Sequence, residues 1–288
     1  DAKSSDLYQG SIMKMIERDE ADIPSNDLAV AVKNAKNYDF AVVCVGELPS
    51  TERPGDIYTL DMAKEQREVV KALSKTGIKI ILVLVEGRPK IISDIEPLAD
   101  AVIQCYLPGD QGGQALSDII FGKINPSGKL PYTYPRHNGV IMHYDHKQSE
   151  LINANTWKND FFNPQYEFGF GLSYTNYEYS NLKISKNVFS PLDKTITVSV
   201  DVKNTGGKAG KEVVQLYSRD HFASISPPLK KLVRYAKINL DPNEIKTVSF
   251  TLDIKELGFY NADNVWVNEP GKHSFFINNL EDSFVTTN

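Results

Sequence analysis

The hydrophobic period of this chain changes near residue 180, and that change constrains its fold more than any other feature. Between residues 28 and 130, continuous apolar runs alternate with segments of period 3.6. The runs at 39–46 (DFAVVCVG), 79–85 (KIILVLV) and 101–106 read as buried parallel strands, since a strand covered on both faces shows no alternation. Segments 28–37, 61–75 and 113–121 read as helices. Ser25 or Asn26 can cap the first. In the second, Met62, Gln66, Val69, Val70 and Leu73 form one stripe, with Asp61 as N-cap and Gly77 beyond the end. A short helical turn is expected around 91–95. Strand–helix alternation of this kind implies an α/β open parallel sheet, a three-layer sandwich with helices on both faces.

From about residue 180 the period becomes 2. The segments 195–202 (TITVSVDV), 212–218 (EVVQLYS), 232–238, 246–252 and 273–277 alternate, separated by turns at NTGGKAG (204–210), SPP (226–228), DPNE (241–244) and EPG (269–271). Short strands at near-regular spacing indicate an antiparallel β-sandwich. The predicted organisation is an arm at 1–27, the α/β domain at 28–135, a connecting wrap at 136–180 and the β-domain at 181–288. The wrap is rich in Tyr, His, Asn and Pro, and a connection this long packs over its neighbours or carries function.

Charge excludes one class of partner. The formal net charge of −5 is concentrated in residues 1–27, with seven acids against three bases, while 28–150 carry fifteen against fourteen and 151–288 fifteen of each. No basic stripe suited to a phosphate backbone exists, so nucleic acid is not an expected partner. The apolar runs are too short for a membrane span. Cys44 and Cys105 lie in strand-like runs and read as buried reduced thiols; a disulfide requires the two strands to be neighbours. No His stands at zinc-site spacing from either, and neither a metal nor a cofactor is expected.

The segment most suited to chemistry joins the first clear strand to the next helix: Gly46-Glu47-Leu48-Pro49-Ser50-Thr51-Glu52-Arg53-Pro54-Gly55-Asp56. Loops after strand C-termini in open α/β sheets converge on a crevice where ligands bind. Two carboxylates five residues apart, on a course set by prolines and glycines, are what glycoside hydrolysis requires: one to protonate a leaving oxygen, one to attack or to activate water. A surface loop rich in Glu is otherwise simply solvated.

Further motifs in a fixed order give this loop a context. Thr51-Glu52-x-x-Gly55-Asp56, Glu86-Gly87-Arg88-Pro89, Tyr106-Leu107-Pro108-Gly109-Asp110-Gln111-Gly112-Gly113, Asn125-Pro126-Ser127-Gly128-Lys129-Leu130-Pro131 and Tyr166-Glu167-Phe168-Gly169-Phe170-Gly171-Leu172-Ser173-Tyr174-Thr175 together resemble the C-terminal half of a glycoside hydrolase family 3 enzyme. The β-domain resembles the fibronectin type III-like domain of the same enzymes, through Val202-Lys203-Asn204-Thr205-Gly206, Gly210-x-Glu212-Val213-Val214-Gln215-Leu216-Tyr217 and Leu257-x-Phe259-Tyr260. The resemblance covers about residues 28–285.

It implies a retaining, exo-acting β-glycosidase of the β-glucosidase type acting on oligosaccharides or glycosides. In that family an N-terminal (β/α)8 barrel supplies the nucleophilic Asp, and a Glu on a loop matching 46–56 is the general acid/base. Carried over by residue, that Glu is Glu52, with Glu47 in reserve; the other role for Glu47 is structural, accepting hydrogen bonds from loop amides. No eightfold βα pattern is present and the first strand of the α/β domain is not visible in 1–27, so the chain reads as the C-terminal part of a larger enzyme, inactive alone. Exported relatives make a periplasmic or secreted location the expectation. A non-catalytic carbohydrate-binding or scaffold module is the alternative, and a nucleotide-dependent α/β enzyme is disfavoured because no G-x-G-x-x-G run occurs.

Other conspicuous residues have plainer readings. Arg88 ties loops together by hydrogen bonds. His137, His143 and His146 pack or line a subsite rather than bind metal. The aromatic run FFNPQYEFGFGLSY packs between domains, and Trp266 covers core or edge.

Overall fold

The computed structural model describes residues 25–47, 55–139, 143–147, 163–190 and 192–287. It divides into two compact units, 1–118 with 135–141 and 119–134 with 142–288.

The first unit is built on a parallel sheet in which β2 (Lys79–Val85) lies between β1 (Phe40–Gly46) and β3 (Ala101–Gln104). Leu82, Val83 and Leu84 are all buried. Successive strand residues point to opposite faces, so burial of three in a row means both faces are covered, as the three-layer arrangement requires. The helices are α1 (Ser25–Ala35), α2 (Lys64–Ser74) and α3 (Gly112–Ile120). Val69, Val70 and Leu73 form the buried face of α2.

Two expectations need correction here. The second helix begins at Lys64, after an N-cap at Ala63 that makes no side-chain capping bond. Asp61 does not cap it. A single parallel bridge joins Asp61 to Ile91, and its carboxylate accepts hydrogen bonds from Thr59 Oγ1 and Asn138 Nδ2, both at 2.7 Å. These partners, of which Ile91 and Asn138 are distant in sequence, hold Asp61 away from the helix. The helical turn expected at 91–95 falls slightly later, as a 3-10 turn at Glu96–Leu98. The caps expected at Ser25 or Asn26 lie outside the described side chains.

The second unit contains a β-sandwich. One sheet runs β5 (Val188–Phe189), β13 (Leu280–Thr286), β12 (Gly271–Ile277), β7 (Gly210–Asp220) and β8 (Lys231–Leu240); the other runs β4 (Tyr177–Ile184), β6 (Thr195–Asn204) and β9 (Ile245–Asp253). A short pair, β10 (Phe259–Tyr260) with β11 (Trp266–Val267), stands apart. The clearest pattern is on β6, where Ile196, Val198, Val200 and Val202 are fully buried, each contributing about 1.5–3 kcal/mol of burial. They face Val214, Leu216, Phe275 and Ile277 in one core. Phe284 stacks on Phe275 at 5.1 Å and meets Phe189 edge-on at 5.4 Å.

Among the described strands the sandwich departs from antiparallel pairing where β13 pairs in parallel with β5. Strands β4, β5 and β13 escape the alternation rule: β4 carries a bulge between Ser180 and Lys183, with Asn181 at φ +55°, which breaks its period. The turn at 204–210 is organised by a fully buried Asn204. Its Oδ1 accepts from Thr175 Oγ1 at 2.6 Å and Gly206 N at 3.0 Å, and its Nδ2 donates to the Lys208 and Leu240 carbonyls at 2.8 and 3.1 Å. Trp266 is 44% exposed and meets Tyr260 edge-on, so it covers the small sheet rather than filling the core. Tyr166 stacks on Phe170 at 5.2 Å, and Tyr144 on Phe168 at 4.2 Å, all within the second unit.

Candidate active site

The carboxyl ends of β1 and β2 bring the chemistry-bearing segments of the first unit together. Gly46 ends β1 with φ +155°, and a Cβ there would stand 1.8 Å from the Val85 carbonyl oxygen. Only glycine tolerates that approach. It lets Glu47 N donate to Val85 O at 3.1 Å, while Gly46 N donates to Gln66 Oε1 at 2.9 Å. The chain therefore leaves β1 in a fixed direction and delivers Glu47 to the loop that follows β2.

There Glu47 is enclosed, its side chain 10% exposed. Its Oε1 accepts from the amides of Gly87 at 3.2 Å and Arg88 at 2.8 Å. Its Oε2 accepts from Arg88 Nε at 2.9 Å and lies 2.7 Å from Arg88 Nη2. Lys90 Nζ stands 3.6 Å away. Burial works to raise the Glu47 pKa, but hydrogen bonds from the Arg88 side chain and backbone, with the charges of Arg88 and Lys90, outweigh it and hold the carboxyl below its ordinary value. Glu47 is thus a fixed anion. A third Arg88 nitrogen, Nη1, donates to the Gly55 carbonyl at 2.6 Å.

Behind this pair, Glu86 is fully buried and its Oε2 accepts from Lys90 N at 3.3 Å. Glu86 N donates at 3.0 Å to the carbonyl of Tyr106, a non-glycine residue at φ +54° just past β3. A left-handed tyrosine is uncommon, and strain of this kind is held in place by its surroundings. The loops after all three strands are therefore mutually bonded.

Of the residues singled out by sequence, Glu47 and Arg88 are in direct contact and Gly55 joins them. Glu52 lies outside the described residues, which stop at Glu47 and resume at Gly55. Lys90 was not foreseen as a partner of Glu47; a basic residue beside the apolar pair Ile91-Ile92 was the available signal. Cys44 and Cys105 are free thiols. Cys44 lies on β1 and Cys105 just past the end of β3, with β2 between those strands, so their backbones stand about two strand spacings, roughly 10 Å, apart, beyond disulfide reach. Among the described residues no group of His, Cys, Asp or Glu could hold a metal, and no helix is long and apolar enough to cross a membrane.

Comparison with known proteins gives this geometry its family. The model of the glycosyl hydrolase family 3 C-terminal domain matches residues 3–174, and that of the fibronectin type III-like domain matches 212–280. The chain belongs to glycosyl hydrolase family 3. Among its family 3 relatives, the lysosomal beta glucosidase of Dictyostelium discoideum is 37% identical over 275 residues, covering 91% of this chain and 32% of the relative. The periplasmic beta-glucosidase of Salmonella typhimurium is 38% identical over 257 residues, covering 86% and 34%. The crystal structure of beta-glucosidase from Listeria innocua in complex with gluconolactone superposes with a TM-score of 0.86 at 28% identity, over 94% of this chain and 40% of that one. The chain spans about a third of the length of the curated family 3 relatives it matches.

Proposed function

We propose that this chain forms the C-terminal region of a retaining, exo-acting β-glycosidase of the β-glucosidase type, and that it supplies Glu52 as general acid/base to an active site whose nucleophilic Asp stands on a (β/α)8 barrel. The observation that carries this reading is the place of Gly46 and Glu47, at the carboxyl end of a parallel strand, where open sheets bind ligands; Glu52 follows Glu47 five residues on in sequence. The relatives named beta glucosidase support the substrate class, a β-glucoside or short β-linked oligosaccharide.

In the first step the barrel Asp attacks the anomeric carbon while Glu52 protonates the departing oxygen. In the second, Glu52 takes a proton from the water that releases the sugar. A general acid needs a carboxyl that keeps its proton near neutral pH, which exclusion of water favours. Glu47 is held in the opposite state by Arg88 and Lys90, which supports Glu52 over Glu47. Relatives named lysosomal and periplasmic support an exported enzyme.

The test is Glu52→Ala in the complete enzyme. Turnover of an unactivated β-glucoside falls by about 100-fold or more, the ordinary worth of general acid–base catalysis, and azide restores the second step by replacing water. Undiminished turnover refutes the assignment.

A further inference from the structure

The five-stranded sheet of the sandwich has an outer face that the core does not use. Val214 and Leu216 of β7 and Phe275 and Ile277 of β12 turn inward, so Gln215, Tyr217 and Phe276 lie on the opposite face. Tyr217 and Phe276 are direct cross-strand partners. With segment 167–173 they line a groove of about 1010 Å³ in the second unit, a size at the upper end of ligand-binding clefts. One wall is fastened to the sheet. Gly169 has φ +80°, and a Cβ there would stand 2.3 Å from Gln215 Oε1, so only glycine lets the backbone lie this close. Gln215 Nε2 donates to the Gly169 carbonyl at 3.2 Å, and the Tyr217 hydroxyl donates to Gln215 Oε1 at 2.5 Å. A wall already held in place saves the ordering that a loose one costs on binding.

The lining narrows the chemistry of the ligand. Two of its cations stand beside carboxylates, Lys129 3.3 Å from Glu212 and Lys230 3.5 Å from Glu167. A polyanion or a polycation meets like charge at both places. A hydroxyl donates and accepts, so it suits either member of a pair. Arg219 and Asn278, also in the lining, add planar groups that bond two neighbouring hydroxyls at once. Apolar surface is present as well: Phe276 is half-buried and Phe170 is 42% exposed. A pyranose with equatorial hydroxyls carries apolar C–H groups on both faces and hydroxyls around its edge, so it matches aromatic surface and polar rim together.

We propose that this groove binds a neutral oligosaccharide of gluco-configured pyranoses, with rings against Phe276 and Phe170 and hydroxyls bonded by Arg219, Asn278 and the Lys230–Glu167 pair. The binding involves no turnover and does not depend on Glu52.

The experiment is calorimetric titration of the full chain with cellotetraose and, separately, with tetragalacturonate, an anionic chain of the same length. Cellotetraose binds saturably and more tightly than tetragalacturonate. Phe276→Ala weakens cellotetraose binding about tenfold, the worth of one aromatic contact. Asn278→Gly keeps the left-handed backbone of that residue (φ +54°) while removing its amide. It weakens binding about threefold or more, and it decides the matter should a thermal melt show Phe276→Ala to be unfolded. Tyr260→Ala, which removes a 60% exposed aromatic from the separate small sheet, leaves the affinity unchanged. Absence of saturable cellotetraose binding in the folded chain overturns the proposal. So does tighter binding of tetragalacturonate, or an affinity that folded Phe276→Ala and Asn278→Gly both leave intact. Loss of binding in Tyr260→Ala would place the sugar on the small sheet and overturn it equally.

Discussion

Lys129 Nζ lies 3.3 Å from Glu212 Oε1, and the same carboxylate oxygen accepts the Tyr179 hydroxyl at 2.9 Å. Both ionic side chains are largely buried, 18% and 9% exposed, and Lys129 also donates to the Gly171 carbonyl at 2.7 Å. Burial, reinforced by the charge of Glu212, pushes the Tyr179 phenol far above its ordinary range, so it remains a donor. Lys129 comes from the NPSGKLP turn and Glu212 from β7, so the pair secures the turn to the sandwich.

Breaking that pair exposes its worth. Lys129→Met leaves the Glu212 anion with one donor fewer in a poorly hydrated place and destabilises the second unit by about 3 kcal/mol. Tyr179→Phe removes a neutral donor and costs about 1–2 kcal/mol. Equilibrium urea unfolding of the chain measures both; equal, negligible losses contradict the buried-pair account.

Gly46→Ala tests the close approach of the end of β1 to the end of β2. The added Cβ meets the Val85 carbonyl oxygen at 1.8 Å and backbone cannot swing aside as a side-chain tip can, so the first unit loses about 3 kcal/mol or more. Gly207→Ala, where nothing lies within 4 Å of the new carbon, is the control, and it changes stability by less than about 1 kcal/mol. Thermal melts of the two variants should differ clearly.

Acid should weaken the Glu47 anchor in a defined direction. A carboxyl whose folded pKa lies below its ordinary value of 4.5 stabilises the fold fully above that value and loses the contribution as pH falls through the folded pKa. Wild type is therefore more stable than Glu47→Gln at neutral pH, and the gap narrows below pH 4.5. Urea unfolding of both proteins across that range checks the sign, and the subtraction removes the titration of Asp94 and Asp100, common to both.

Burial, with a smaller effect from Cys105, pushes the Cys44 thiol up to about 11. Little thiolate forms near pH 8, so alkylation by iodoacetamide in the folded protein is slow and becomes fast only in denaturant. Mass spectrometry with time reads the rates directly.

The elements that were legible in the sequence carry their own pattern. The runs in β1 and β2 are continuous because both faces are covered, and β6 alternates strictly because its other face is not. What was hidden depends on partners distant in sequence. Asp61 has the chemistry of an N-cap, but Asn138 and Ile91 draw it elsewhere. Glu47 reads from sequence as the reserve acid or as an anchor for loop amides, and only the placing of Arg88 and Lys90 beside it, some forty residues downstream, makes it the anchor. Strand β13 (LEDSFVT) has too few apolar residues to announce itself, and it is placed by pairing with β12 and β5. The Thr51-Glu52-x-x-Gly55-Asp56 motif was legible through family resemblance, since spacing alone distinguishes a reacting carboxylate poorly from a solvated one.

The parallel pairing of β5 with β13 has a consequence for biosynthesis. Val188 pairs in register with Val285, whose amide donates to the Asn187 carbonyl at 2.9 Å, and β13 sits inside its sheet, between β5 and β12. A ribosome releases Val188 long before Val285, so during translation the sheet is left with a gap between β5 and β12 and two open edges. Non-local pairing of this kind is slow to form and leaves strands exposed meanwhile. The first unit, whose three described strands follow one another in order, can form that sheet while the sandwich is still waiting for its last strand.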